Sequence, residues 1–202
     1  MVVDDHPLVR AGIAALVDAD DQMTVVAQAS NGREAIDYFR LYQPDVTLMD
    51  LQMPILDGVK AITEIRQTWP EARIVVLTTY DGDVQALRAL KAGACGYLLK
   101  TAIRKELLAA VKDAHSGRSN VAAEVSREIG EHAMDETLSP REIDVLRHLA
   151  SSSRNKTIAS NLGISEGTVK AHMKSILAKL RARDRTDAIV IALRRGIINL
   201  AD

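Results

Sequence analysis

The first half of the chain alternates short apolar runs with longer amphipathic stretches. The apolar runs are continuous and rich in β-branched residues, as in parallel strands buried on both faces of a sheet: TVVA (24–27), VTLM (46–49), IVVL (74–77) and YLL (97–99). Between them, apolar residues recur at helical spacing in three segments: 33–42, 59–68 and 83–92. Strands that alternate with helices predict a doubly wound α/β sheet with right-handed crossovers.

Polar side chains follow the apolar runs at the points where the predicted strands end. MVV is followed by Asp4 and Asp5, VTLM by Asp50, IVVL by Thr78 and Thr79, and YLL by Lys100. Such sheets bind ligands outside the carboxyl ends of their strands, so we expect these groups to converge at one edge. Clustered carboxylates require a cation, and oxygen ligands suit Mg²⁺. A carboxylate in this setting can act as a nucleophile and form an aspartyl-phosphate.

The last third of the chain has the pattern of several short amphipathic helices. LSPREIDVLRHLA (138–150) begins with a capping box, and NKTIASNLG (155–163) stops at a glycine. EGTVKAHMKSILAKL (166–180) follows after a tight turn, and RTDAIVIALRRGII (185–198) predicts a final helix. A helix, a short turn with glycine and a second helix are typical of the helix-turn-helix motif.

The charge of the chain changes along its length. Residues 1–115 contain 12 Lys and Arg against 16 Asp and Glu, whereas residues 138–202 contain 12 against 6. Residues 116–137 contain 2 against 5 and show no apolar face, which predicts an acidic linker with a short helix within 122–132. An acidic front and a basic tail indicate two domains with different partners, of which the basic one binds nucleic acid.

Cysteine content and hydropathy bear on the compartment. The single cysteine excludes an internal disulfide framework and favours a reducing environment. No apolar run approaches the roughly 20 residues that span a bilayer, and no basic-then-apolar leader is found. We therefore expect a cytoplasmic protein.

Four segments in the first half resemble the receiver domain of two-component response regulators: MVVDDHPLVRAG, VTLMDLQMPILDGV, IVVLTTYD and AGACGYLLK. The resemblance covers residues 1–115 and implies a flavodoxin-like parallel sheet of order 2-1-3-4-5. It also implies that Asp50 accepts a phosphoryl group from a sensor histidine kinase, assisted by Thr78 and Lys100, and that Tyr97 switches rotamer. The implied cofactor is Mg²⁺, and its implied ligands are Asp4 through water, Asp5, Asp50 and the backbone carbonyl of Gln52.

Two features depart from the receiver pattern. Thr101 follows Lys100 where many receivers have proline after a cis peptide bond, which leaves the isomer of this bond open. The first strand has only three residues before the acidic pair, whereas strands typically have about 5–6. We expect a truncated chain start, and the alternative is a receiver with a weak central strand.

Three segments of the second half resemble the DNA-binding domain of the LuxR/NarL/FixJ type: LSPREIDVLRHLA, NKTIASNLGISEGTVKAHMKSILAKL and RTDAIVIAL. We place this four-helix domain at 138–202, with the helix-turn-helix motif at 155–174. By this resemblance, the DNA-binding residues are Asn155, Lys156, Ser165, Thr168, Lys170, Ala171, His172 and Lys174. Ala171 stands where relatives often have a larger residue, which weakens readout of a thymine methyl group. SSSRNK (151–156) replaces a common glycine-containing turn.

The two resemblances together predict a phosphorylation-controlled transcription regulator that binds double-stranded DNA and dimerises when phosphorylated. Its only expected chemistry is that of a phosphoacceptor with slow self-dephosphorylation. One alternative is a regulator that binds DNA without phosphorylation and uses the receiver as a dimerisation module. Another is an aspartyl-phosphate phosphatase, although such enzymes typically have a second Asp where this chain has Gln52.

Overall fold

The computed structural model describes residues 1–79, 83–118, 120–121, 126–127, 130, 136–151 and 154–198. The chain divides near residue 127 into an α/β unit and a helical unit. All peptide bonds of the described residues are trans, including the bond between Lys100 and Thr101 whose isomer the sequence left open.

The α/β unit is built on a six-stranded parallel sheet of order β2-β1-β3-β4-β5-β6. The strands are β1 (Val2–Val3), β2 (Gln28–Ala29), β3 (Thr47–Asp50), β4 (Ile74–Thr78), β5 (Gly96–Leu99) and β6 (Asn120–Val121). The predicted 2-1-3-4-5 order of the first five strands is confirmed. Every residue of β3 and β4 is buried, as expected from their continuous apolar runs.

Two strands differ from the sequence prediction. β2 lies just after the predicted TVVA run, because its partner β1 has only two residues, which pair with Gln28 and Ala29. β6 was not predicted at all: it lies in the predicted linker and pairs with Gly96 and Tyr97 at the open edge of β5. β6 has only two residues, so its strand conformation comes from pairing with β5 and not from an apolar run.

Five α-helices of the α/β unit lie among the described residues: α1 (Pro7–Asp18), α2 (Gly32–Tyr42), α3 (Gly58–Thr68), α4 (Asp83–Ala92) and α5 (Ile103–His115). A 3₁₀ turn, Lys100–Ala102, leads into α5. The three helical segments predicted between the strands are therefore confirmed to within about a residue. Side chains from α1 and α5, including Ile13 and Leu107, pack with Val75 and Leu98 in one buried apolar cluster.

The helical unit contains α6 (Pro140–Ala150), α7 (Asn155–Leu162), α8 (Glu166–Leu180) and α9 (Arg185–Arg194). Its core includes Leu146, Ile158, Val169 and Ile176, one or more from each of the first three helices. No helix in the described part of the chain has the length and hydropathy needed to span a membrane.

The final helix ends at Arg194 and is therefore shorter than the predicted 185–198. Gly196 adopts a left-handed φ of 67°, and the amide of Ile197 donates to the carbonyl of Ala192 at 2.8 Å. This arrangement closes the C-terminus of the helix and prevents its continuation. The predicted short helix within 122–132 lies mostly outside the described residues. The residues described in this range, 126–127 and 130, are helical.

Glu142 ties the start of α6 to α8. It forms the predicted capping box with Ser139, accepting from the Ser139 amide at 2.7 Å, and its Oε2 lies 2.9 Å from Nζ of Lys179. Burial raises the pKa of Glu142, but hydrogen bonds from Lys179 and two serines outweigh burial and lower this pKa to about 2. The charged form is therefore strongly favoured in the folded state.

Glu142→Gln should lower the free energy of unfolding of the helical unit by about 1.5–3 kcal/mol at neutral pH, the range for hydrogen bonds to a charged group. The stabilisation is complete above the ordinary pKa of 4.5 and is lost as the pH falls toward about 2. The difference between variant and wild type in CD-monitored urea unfolding should therefore shrink over this range. Glu166→Gln, at an exposed position of α8, is the control. Equal unfolding of wild type and Glu142→Gln at neutral pH would contradict this account.

Candidate functional site

The strand register brings the predicted polar residues to one edge of the sheet. Val3 pairs with Met49, so Asp4 and Asp50 are level at the carboxyl ends of β1 and β3. Thr78 pairs with Leu99, so Lys100 follows one residue beyond this pair. Side chains that are far apart in sequence therefore meet at the position where doubly wound sheets bind ligands.

Lys100 bridges two of the carboxylates. Its Nζ lies 2.7 Å from Oδ2 of Asp4 and 2.9 Å from Oδ2 of Asp50. All three side chains are largely buried, with 11% of Lys100 exposed. Burial lowers the pKa of Lys100, but the hydrogen bonds to the two carboxylates outweigh burial and raise it, so the ammonium stays charged.

Asp50 is oriented from two sides. Its Oδ1 accepts from the backbone amides of Leu51 at 2.7 Å and Gln52 at 3.4 Å, while Oδ2 faces Lys100. Burial raises the pKa of Asp50, and the nearby charge of Asp4 adds to this effect, whereas Lys100 opposes it. The result is a buried carboxylate with a fixed orientation and an adjacent cation, which is suited to attack on a phosphorus atom.

The acidic residues can hold a metal ion. One ligand atom each from Asp4, Asp5, His6 and Asp50 lies within 4.8 Å of the others. Two of the carboxylate oxygens are buried: Oδ2 of Asp4 lies 2.7 Å from Nζ of Lys100, and Oδ1 of Asp5 lies 2.7 Å from Nδ1 of His6. Three carboxylates with spare oxygen capacity fit a hard divalent cation such as Mg²⁺, for which the imidazole nitrogen is a poor ligand.

The remaining predicted residues of this edge are placed as follows. Thr78 is the last residue of β4 and is buried. Gln52 is half-buried and lies two residues after Asp50, so its backbone is close to the acidic cluster. Tyr97 is in the middle of β5 and is fully buried.

The second group of predicted residues lies on α8 and the elements before it. Val169, Ile176 and Leu180 are buried on one side of α8, in the core of the helical unit. On the other side or near it, the structure leaves exposed Thr168, Lys170, Ala171 and Lys174, with His172 half-buried. Lys170 and Lys174 are one helical turn apart, so their side chains lie on the same face.

Local hydrogen bonds stabilise the turn between α7 and α8. Ser165 caps the helix by accepting from the amide of Thr168 at 3.0 Å, and the two hydroxyls lie 2.9 Å apart. Gly163, with a φ of 64°, closes the turn after α7. Lys156 is exposed and Asn155 half-buried at the start of α7. The predicted polar contacts therefore surround the turn and the first half of α8.

Sequence reasoning missed two contributors to the acidic site. His6 brings Nδ1 to within 2.7 Å of Oδ1 of Asp5, and its position next to the acidic pair was an available signal. Arg10 donates from Nη1 to the backbone carbonyl of Asp4 at 2.6 Å. This second contact depends on how α1 packs beside β1, so no sequence pattern indicates it.

Family models match both halves of the chain. The response regulator receiver domain matches residues 1–112, and the family of bacterial regulatory proteins called luxR matches residues 136–192. The transcriptional regulatory protein YxjL of Bacillus subtilis is 39% identical over an alignment of 208 positions, which covers 98% of this chain and 95% of YxjL.

Solved structures show the same similarity over nearly the whole chain. The response regulator ChrA of a heme-sensing two-component system is 38% identical, with a TM-score of 0.59 over 98% of this chain and 97% of ChrA. RcsB from Salmonella enterica serovar Typhimurium, solved bound to a promoter in the presence of the phosphomimetic BeF3⁻, is 27% identical. Its TM-score is 0.71 over 94% of this chain and 95% of RcsB.

Proposed function

The chain belongs to the family of two-component response regulators with a LuxR-type DNA-binding domain, and on that premise we propose that Asp50 accepts the phosphoryl group that controls DNA binding. The observation that carries this assignment is the contact of Lys100 Nζ with both Asp4 and Asp50 at the carboxyl edge of the sheet. The family acts in transcription regulation, and the acidic edge is the part of this chain with the chemistry to receive a phosphoryl group.

Asp50 acts as the nucleophile. A carboxylate oxygen attacks the phosphorus of a phosphohistidine on a sensor histidine kinase, or of a small donor such as acetyl phosphate. A phosphorus–oxygen bond forms as the bond to the leaving group breaks, and the leaving group takes the electron pair. The amides of Leu51 and Gln52 orient the carboxylate, and Lys100 offsets the charge of the transferred oxygens.

Mg²⁺ fits the same edge. Asp5, Asp50 and the backbone carbonyl of Gln52 would hold it directly, and Asp4 would act through water. When bound, this ion neutralises charge on the phosphoryl group during transfer. The roles of the chain are to supply the oxygen ligands and to exclude bulk water from a buried carboxylate.

The phosphorylated state is read by residues at the ends of β4 and β5. Thr78 and Lys100 bond to the new phosphoryl oxygens, and Tyr97 changes rotamer as the surface around it rearranges. The receiver therefore has two conformations, one without and one with the phosphoryl group. The switch between them carries a local change in charge at Asp50 to a distant surface. The consequence for this chain is dimerisation.

The DNA contacts come from α8 and the start of α7. Lys170 and Lys174 enter the major groove, with Ala171 between them and Thr168 and His172 beside them. Asn155, Lys156 and Ser165 bond to phosphates and fix the orientation of the helix. A dimer places two such helices on half-sites about one helical turn apart.

Removal of Mg²⁺ tests the site. Acetyl phosphate with Mg²⁺ should add one phosphoryl group to the protein in intact-mass measurements, and EDTA should reduce incorporation to background. Asp5→Asn should raise the Mg²⁺ concentration for half-maximal incorporation by at least about 10-fold, whereas Asp37→Asn, an exposed position of α2, should not change it. Undiminished incorporation in EDTA would contradict a metal-dependent acceptor.

A further inference from the structure

A polar segment at the start of α2, residues 30–34, is the α2 turn. The amide and hydroxyl of Ser30 both donate to Oε2 of Glu34, at 2.8 and 2.9 Å. The side chain of the buried Asn31 caps α2 by accepting from the amides of Arg33 and Glu34, both at 3.0 Å. These bonds make the α2 turn a rigid element, although it contributes none of the proposed metal ligands.

The α2 turn contacts the loop that follows Asp50, residues 51–57, which is the acceptor loop. The amide of Gly32 donates to the carbonyl oxygen of Leu56 at 3.0 Å. A Cβ at Gly32 would lie 2.5 Å from that oxygen and 3.0 Å from Cβ of Ala61. Only glycine therefore permits this close approach without displacement of the acceptor loop.

The acceptor loop has a conformation that needs support from outside. Ile55 has a φ of 69°, which a β-branched residue rarely adopts, and its side chain is exposed. The amide of Leu56 donates to the carbonyl of Pro54 at 2.8 Å and closes a tight three-residue turn around Ile55. At the end of the loop, a Cβ on Gly58 would collide with the backbone oxygen of Asp50. The backbone of Gln52 is thus carried by a constrained segment that Gly32 holds at Leu56.

The loop that carries Asp4 and Asp5 is also joined to the α2 turn. Arg10 donates to the carbonyl of Asp4 at 2.6 Å. The amide of Asp4 donates to the carbonyl of Ala29 at 3.1 Å, and Ala29 directly precedes the α2 turn.

We propose that the α2 turn is a positioning element of the metal site, which adjoins the Asp4 loop at Ala29 and holds the acceptor loop through Gly32. It fixes the separation between the carboxylates of the first loop and the Gln52 carbonyl of the second, and thereby sets the affinity for Mg²⁺. This inference rests on the proposed function, because it presumes that the acidic edge binds Mg²⁺.

Titration calorimetry of Mg²⁺ binding to the full chain tests the proposal. Gly32→Ala should bind Mg²⁺ about 10–100-fold more weakly than wild type, the range for residues that orient metal ligands. Phosphoryl incorporation from acetyl phosphate should recover when Mg²⁺ is raised to saturation, which a general packing defect would not show. Gly12→Ala is the matched control, because no heavy atom of the described chain other than its chain neighbours and the α1 backbone lies within 4 Å of the added Cβ.

The outcomes separate the two proposals. If wild type shows no Mg²⁺ binding, the proposed metal site itself is wrong. If wild type binds and folded Gly32→Ala binds equally well, the positioning role is overturned. If CD shows that Gly32→Ala does not fold, Glu34→Ala, which removes both hydrogen bonds from Ser30, decides: a weakened affinity supports the positioning role, and an unchanged affinity overturns it.

Discussion

Asp50→Asn is expected to reduce phosphoryl incorporation from acetyl phosphate to background while the protein remains folded. The amide has no anionic oxygen to attack phosphorus, so the reaction loses its nucleophile. Burial raises the pKa of Asp50, which means that its charge is held at a cost in the folded state. Lys100 keeps its contact with Asp4 after the substitution, so no buried cation is left unpaired. The thermal midpoint should therefore be equal to that of wild type or higher.

Intact-mass measurement after incubation with acetyl phosphate and Mg²⁺ checks the loss of phosphoryl incorporation, and CD melting checks the thermal midpoint. Asp37→Asn, exposed on α2, should incorporate phosphate as wild type does. Persistent labelling of a folded Asp50→Asn protein would place the acceptor at another residue. An unfolded variant would show instead that the carboxylate of Asp50 is needed for the α/β unit itself.

Lys170→Ala should weaken binding to a selected operator by about 1–3 kcal/mol, or roughly 5–150-fold, if its ammonium reads a base in the major groove. Lys170 is exposed on α8, one turn from Lys174, and is rotated by about 100° around the helix from the buried Val169. The measurement is fluorescence anisotropy with operator and unrelated DNA at several salt concentrations. Lys105→Ala, an exposed lysine of α5, is the charge-matched control.

The salt series separates two modes of contact. If Lys170 contacts a base, Lys170→Ala loses more affinity for the operator than for unrelated DNA. A phosphate contact gives a uniform loss and lowers the salt slope by about 1. Unchanged affinity for both DNAs at moderate salt would show that the recognition face is elsewhere on the helical unit.

The sequence predicted the parts of the fold that local pattern determines. β3 and β4 are buried on both faces, and their continuous apolar runs indicated both the strands and the position of Asp50. The pattern could not locate β6, because Asn120 and Val121 are too few to show an apolar run and form a strand by pairing with β5. The end of α9 was missed because apolar residues continue to Ile198, although the chain turns at Gly196.

The residues of the candidate site could be predicted from the sequence, but the contacts that position them could not. Residues at strand ends converge because the sheet is parallel, which brings Lys100 into contact with Asp4 and Asp50. Arg10 contacts the backbone carbonyl of Asp4, and Gly32 permits the close approach of the acceptor loop. Both contacts depend on how the helices pack beside the sheet. No spacing in the sequence encodes such contacts.

Control of DNA binding by a phosphoryl group on Asp50 can be tested by a single set of affinity measurements. The affinity for one selected DNA fragment is determined at fixed salt, for wild type and for Asp50→Asn, with and without acetyl phosphate and Mg²⁺. We predict that the phosphodonor strengthens binding by wild type and leaves Asp50→Asn unchanged. Equal affinity of wild type with and without incorporated phosphate would contradict control by phosphorylation and favour a receiver that serves only as a dimerisation module.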